Sequence, residues 1–336
     1  MSNGADSKIY PGKFRTWYEA VLHASVALLN SYNANDGCIE GCVKLVDEGG
    51  TAYGVKHVDG KPRTVATPYQ YAIAEGGVSG HNGIYKFGQN ESVGTSPETI
   101  WDEGGLYPWT DIDAAAGQVT VSSTSAQDTA STGTGAWTCT IYGLTASGDE
   151  QSESFNLAGQ TPVTSSRSYG RVNRVIVNTA GTDNANAGII RVGTGTVTAG
   201  VPAVVWALVE VGRNQTLMTV WTVPNAMTLY VTRANFSIVG VRGAEGTIYT
   251  KPPNELFQTK MLVHLNSGSE EIVFDTPLKF TAGTDIDVRG TAEAINTKMA
   301  ATFSGWYEET IITSSTRATA TGDTRTTSFG DIRVTA

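Results

Sequence analysis

The chain has 336 residues, 40% of them hydrophobic and 16% charged, with a formal net charge of -9. That length predicts two or three packed units, and the acidic balance excludes a protein built to hold a nucleic-acid backbone, which requires a basic face. No run of about 18 apolar residues offers a membrane-spanning helix, and 38 glycines among alternating apolar residues favour many turns and an all-β chain.

Met1 to Tyr10 is polar and lacks the apolar core of a secretory signal. The three cysteines, Cys38, Cys42 and Cys139, fit a chain made in a reducing cytoplasm. Lys13 to Asn30 is the one convincing helix, because Phe14, Trp17, Tyr18, Val21, Leu22, Leu28 and Leu29 recur with helical spacing. Its apolar stripe packs on its own chain or, in a sharper reading, docks through Phe14, Trp17 and Leu22 on a partner subunit. Cys38 and Cys42 are spaced like half a metal site with His57 nearby. No second pair follows, so they read as two small, partly buried residues.

Cys42 to Val46 and Tyr53 to Val58 read as strands, with Asp59-Gly60 a tight hairpin turn. Residues 76–113 differ in kind. Closely spaced glycines and two prolines are interleaved with Tyr85, Phe87, Trp101, Tyr107 and Trp109. A flexible linker lacks aromatics, so this segment is expected to be an extended arm that anchors across a neighbouring surface.

From Gln118 onward the pattern is that of short antiparallel strands. Val119 and Val121 alternate with polar residues, as do Trp137, Cys139 and Ile141, then Phe155 and Leu157. Arg171 to Asn178, Gly188 to Val192, Leu217 to Thr222, Met227 to Ala234, Glu271 to Phe274 and Ile286 to Arg289 continue the series. The fold class expected is therefore mainly β. Two antiparallel β-sandwich or jelly-roll-like units, 114–210 and 211–312, follow an N-terminal helix and hairpin region (1–75) and the arm (76–113). Residues 313–336, rich in Ser and Thr, are expected to be a mobile tail.

Chemistry is sparse. His23, His57, His81 and His264 have no neighbouring nucleophile in a motif, so no catalytic residues, metal or cofactor are expected. Asp285 and Asp287 fall on one strand face, where a solvated acidic face is favoured over a calcium site. Gly193-Thr194-Gly195 is a turn rather than a phosphate loop, because no Lys follows.

Several stretches nonetheless form an ordered set. They are Tyr85-Lys-Phe-Gly-Gln-Asn-Glu-Ser-Val, Glu98-Thr-Ile-Trp-Asp-Glu-Gly-Gly-Leu-Tyr-Pro-Trp, Ser125 to Ala136 and Ile141-Tyr-Gly-Leu. Asn214-Gln-Thr-Leu-Met-Thr-Val-Trp-Thr-Val-Pro and Phe303-Ser-Gly-Trp-Tyr-Glu complete it. Together they resemble a family of virion structural proteins of tailed phages, often marine ones, over about 85 to 310. The resemblance implies a virion component and does not by itself say head or tail; the first expectation is a capsid decoration, cement or head-projecting protein. It would be a homotrimer docked on the major capsid protein or another virion protein. The helix stripe and the arm aromatics, rather than the resemblance, give the expected assembly interface: Phe14, Trp17, Leu22, Tyr85, Phe87, Trp101, Tyr107 and Trp109. The alternatives are a tail-associated fibre, adaptor or receptor-binding protein, and a carbohydrate-binding or carbohydrate-active protein with Trp109, Trp137 or Trp206 stacking on sugar rings.

Overall fold

Alternating residues buried on one face require a second layer to cover them, and the chain supplies it by antiparallel pairing throughout. The computed structural model describes residues 68–310 except Val241, together with the backbone of three short strand pairs outside that range. Residues 1–68 and 69–336 are separate compact units.

In the first unit β1 (Leu45–Val46) pairs with β2 (Ala52–Tyr53), and β3 (Lys56–Val58) with β4 (Lys61–Arg63). Val58 partners Lys61; the tight turn expected at Asp59-Gly60 lies outside the described residues. The single strand expected over Tyr53–Val58 is instead shared between two hairpins. The expected helix over 13–30, with Phe14, Trp17 and Leu22, lies outside the described residues.

The second unit begins with α1 (Tyr69–Ala74), β5 (His81–Val93), β6 (Glu98–Thr99) and α2 (Trp109–Ala114). Then come β7 (Gly117–Ser123), β8 (Ala136–Leu144), β9 (Glu150–Asn156), β10 (Val163–Tyr169), β11 (Arg171–Ala180), β12 (Ile190–Thr198) and β13 (Val201–Val209). These seven make two sheets, in the orders β10-β7-β12-β13 and β11-β8-β9. Both sheets feed one core. Val119, Val121, Cys139, Ile141, Phe155 and Leu157 are buried in it, as their alternation predicts. Asp128, in the β7–β8 loop, is buried and fully satisfied. It accepts hydrogen bonds from Ser123 Oγ and from the backbone N–H groups of Ala136, Ala187 and Gly188.

The next strands are β14 (Trp221–Thr222), β15 (Met227–Val239), β16 (Ala244–Lys251), β17 (Gln258–Leu265), β18 (Gly268–Thr281), β19 (Asp285–Ala292) and β20 (Thr297–Glu309). They form the sheets β14-β19-β16-β17 and β18-β15-β20, again with a shared core that includes Phe236, Ile286, Val288 and Phe303. The change from one core to the other falls between Val220 and Trp221, about ten residues beyond the expected boundary at 210/211. β21 (Ser314–Ala318) pairs with β22 (Thr324–Ser328), so part of the expected mobile tail is a strand pair. No helix among the described residues is long and apolar enough to cross a membrane.

The expected arm is the main correction. β5 completes the sheet β18-β15-β20-β5, pairing with β20 from Glu308↔His81 to Thr297↔Val93. β6 then pairs with β19 in the opposing sheet, and 100–112 crosses into the core of the first β body. Gly88 makes the close passage of β5 possible. A Cβ there would collide with the Ile100 carbonyl oxygen and lie 2.8 Å from Thr219 N and 2.9 Å from Met218 C. All three are backbone atoms that cannot swing away, so the chain must cross at glycine.

Candidate functional site

The joint between the two β bodies gathers most of the polar and aromatic side chains that the alternation does not explain. Its spine is the segment after β6. Trp101 bridges to Met218 by backbone pairing, and its indole N–H donates to the carbonyls of Gly104 (2.9 Å) and Gly105 (3.2 Å). Both glycines have left-handed φ, +75° and +66°, a tight reversal that side chains resist. Tyr107 OH donates to Trp206 O at 2.8 Å, and Trp109 Nε1 to Asp287 Oδ2 at 3.0 Å. Trp101, Tyr107 and Trp109 form an edge-to-face ladder with centroids 5.0 and 4.7 Å apart. All three are buried within their own chain. They are not free to dock on a neighbour, contrary to the interface expected from their spacing. Of the other expected interface residues, Tyr85 is 65% exposed and Phe87 half-buried.

Below the ladder lies a charged network. Asp285, 1% exposed, accepts from Arg171 Nε (3.0 Å) and Nη2 (2.9 Å), from Thr222 Oγ1 (2.5 Å) and, as an ion pair, from Lys251 (3.3 Å). Asp113 bridges the same two cations. Burial works against the Arg171 charge, but Asp285 and Asp113 outweigh it and hold the guanidinium protonated. Burial likewise opposes the Asp113 charge, and Lys251 and Arg171 hold its carboxyl below the ordinary range. Asp287, also buried, takes Arg289, Trp109 Nε1 and Thr99 Oγ1. Arg171 lies over the Trp109 ring, and Arg289 over Tyr249 and Phe257. Alternation rightly put Asp285 and Asp287 on one face, but that face is a buried ion-pair network and not a solvated one. Among the described residues no three His, Cys, Asp or Glu side chains are placed to share a metal ion.

Beside the network the bodies stand apart and leave a cleft of about 590 Å³. Lys86 reaches into it from β5. Its cross-strand partner is Phe303, a core residue, so Lys86 projects from the core-facing side of an edge strand. The core ends there, and the ammonium crosses to the first body to donate to Asn173 O at 2.7 Å. Burial, with the Arg174 charge adding to it, pulls its pKa down to about 7. Arg174, exposed at the rim, donates to Gln215 Oε1 at 3.0 Å. Glu150 accepts from Tyr307 OH at 3.0 Å, and burial with that carboxylate raises the phenol above its ordinary range. Tyr142, Gln151, Ser152 and Trp221 also line the cleft.

Asp102, in the turn after Trp101, is the oddest polar group. Neither carboxylate oxygen has a hydrogen-bond partner among the described residues. Burial lifts its pKa to about 7. Gln89 lies close enough to temper the rise, Glu210 and Glu91 reinforce it, and Arg213 opposes them. An unfolded carboxyl titrates near 3.8, so between about pH 4 and 7 the folded chain holds a proton that the unfolded chain has released. Stability therefore falls as pH rises through that window, and the penalty is complete above it. Asp102→Asn is expected to raise stability at pH 8 by about 1–2 kcal/mol, a gain reduced by the solvent that reaches this turn. Chemical denaturation at pH 8 and pH 5 checks it. The gain should shrink at pH 5, and its absence at pH 8 would refute the assignment.

The remaining candidates are structural. Burial pushes the Cys139 thiol up to about 12. Of the tryptophans expected to stack on sugars, Trp109 and Trp206 are buried, and half-buried Trp137 spends its indole N–H on Gly133 O. His81 pairs with Glu308 at 2.7 Å. Lys86, Glu150 and Arg174 carried no sequence signal of a shared site, because they come from strands far apart in the chain. No family model matches the sequence, and neither a curated protein nor a solved structure matches it.

Proposed function

We propose that the chain is a structural component of a tailed-phage virion, most simply a capsid decoration or head-projecting protein. In this reading each β body is a sandwich of two sheets, and the two are locked into a rigid projecting rod. The observation that carries it is where the resembling stretches lie. Tyr85–Val93 lies in β5, Glu98–Trp109 threads both cores, and Phe303–Glu308 pairs with β5. Met218, within Asn214–Pro224, bridges to Trp101, and Tyr142 of Ile141–Leu144 lines the cleft. All but Ser125–Ala136 meet at the joint. Residues devoted to a fixed joint suit a part that is assembled once and must then survive outside the cell. The long antiparallel pairings, such as β15 with β20 from Met227↔Glu309 to Val239↔Lys298, suit the same demand. Attachment to the major capsid protein, and trimer formation, then fall to residues other than Trp101, Tyr107 and Trp109.

A protein gel of purified virions, normalised to the major capsid protein, tests the reading. Copies on the order of hundreds per particle support head decoration, and about twelve or fewer place the protein in the tail, since closed symmetry fixes the count. Its absence from particles would overturn the proposal.

A further inference from the structure

The cleft between the β bodies has features that a mere joint does not need. Its volume of about 590 Å³ falls within the range of small-ligand sites. It holds two cations, Lys86 and Arg174, in a protein of net charge -9. Among the described residues neither is ion-paired: each side chain is held by one uncharged oxygen, Asn173 O or Gln215 Oε1. An ammonium has three donors, so Lys86 keeps donors to offer. The Ser152 hydroxyl, the Gln151 side chain, whose amide nitrogen donates to Ser168 O at 2.7 Å and leaves its oxygen to accept, and the aromatic residues Tyr142 and Trp221 line the same space.

We propose that this cleft binds an acidic saccharide, with Lys86 and Arg174 receiving its anionic group and Gln151 and Ser152 meeting its hydroxyls beside the aromatic lining. An inorganic anion would use only the cations, and a neutral sugar only the rest. A ring carrying hydroxyls, an apolar face and one carboxylate or sulfate uses both sets. The site is independent of where in a particle the chain resides.

Binding should also depend on pH. An anion favours the charged form of Lys86, whose pKa in the empty cleft is about 7, so affinity should fall as pH rises through 7. The other charged groups facing the cleft are Arg174 on β11 and Glu150 on β9, and the Tyr307 phenol on β20 stays protonated across this range.

Calorimetric titration of the full chain tests the proposal with trigalacturonate, a sulfated galactose trisaccharide, neutral maltotriose and sodium sulfate. At least one acidic trisaccharide should bind about tenfold or more tightly than maltotriose and than free sulfate, the usual scale of one charge-assisted contact. The two acidic arms tell carboxylate from sulfate. Lys86→Met should weaken that binding about tenfold and abolish its pH dependence near 7. Because Lys86 also tethers β5, the exposed Arg174→Gln serves as a second variant, and it should weaken binding several-fold without moving the unfolding midpoint. The proposal is overturned if no acidic saccharide binds, if maltotriose binds equally well, or if both variants bind as the natural chain does.

Discussion

A chain beginning at Ala114 is expected to lose cooperative folding, whereas one beginning at Tyr69 should keep it. The shorter form lacks β5 and β6, which complete the two sheets of the second body. It also lacks Val93, Ile100, Trp101, Tyr107, Trp109 and Ile112, all buried in the two cores. Each large apolar side chain contributes roughly 1.5–3 kcal/mol when buried. Together these six are worth about as much as the whole stability of a typical domain, roughly 5–15 kcal/mol. The opened β20 edge would also invite aggregation. Near-ultraviolet circular dichroism and a denaturant melt distinguish the outcomes. A soluble, cooperatively melting chain from Ala114 would restore the reading of 76–113 as an independent arm, and would contradict the interlocked joint.

Arg171→Met should produce the largest loss from a single charged residue. It leaves Asp285, 1% exposed, with Thr222 and the more distant Lys251 as its remaining partners. Removing one member of a buried pair costs about 3–5 kcal/mol, because the surviving charge keeps its desolvation penalty. The same change also strips the guanidinium from the face of Trp109. The expected result is a large drop in the urea midpoint at pH 7. Adding Asp285→Asn should recover part of it, since the amide is neutral and can still accept from Thr222. A loss below about 1 kcal/mol would mean that the network behaves as an exposed pair.

The joint also explains why the cleft and the network are neighbours. Arg171 on β11 sits two residues before Asn173 and three before Arg174. A bulge between Val172 and Arg174 interrupts the alternation here, so that Val172 and Val175 both enter the core although they are three residues apart. Arg171 closes the joint against Asp285, while the Asn173 carbonyl holds Lys86 and Arg174 borders the cleft.

By itself the sequence determined the mainly β class and the inward sets Val119 and Val121, Cys139 and Ile141, and Phe155 and Leu157. Each depends on a period of two, which is a local property of a few adjacent residues. It also placed Asp285 and Asp287 together on one face, but it could not say what covered that face. That depends on Arg171, Lys251, Trp109 and Thr99, which arrive from other strands. The segment 94–112 escaped for a different reason. Its backbone is held by side-chain hydrogen bonds, by a glycine reversal and by single bridges, and so leaves no periodic trace. β5 was misread because its pairing partner, β20, lies near the far end of the described chain. Its Gly88 marks a close backbone crossing rather than freedom. Only the tertiary structure decided that the aromatic run locks two β bodies together, and that Lys86, Arg174 and Glu150 face one cleft, because long-range pairing and not local pattern brings them there.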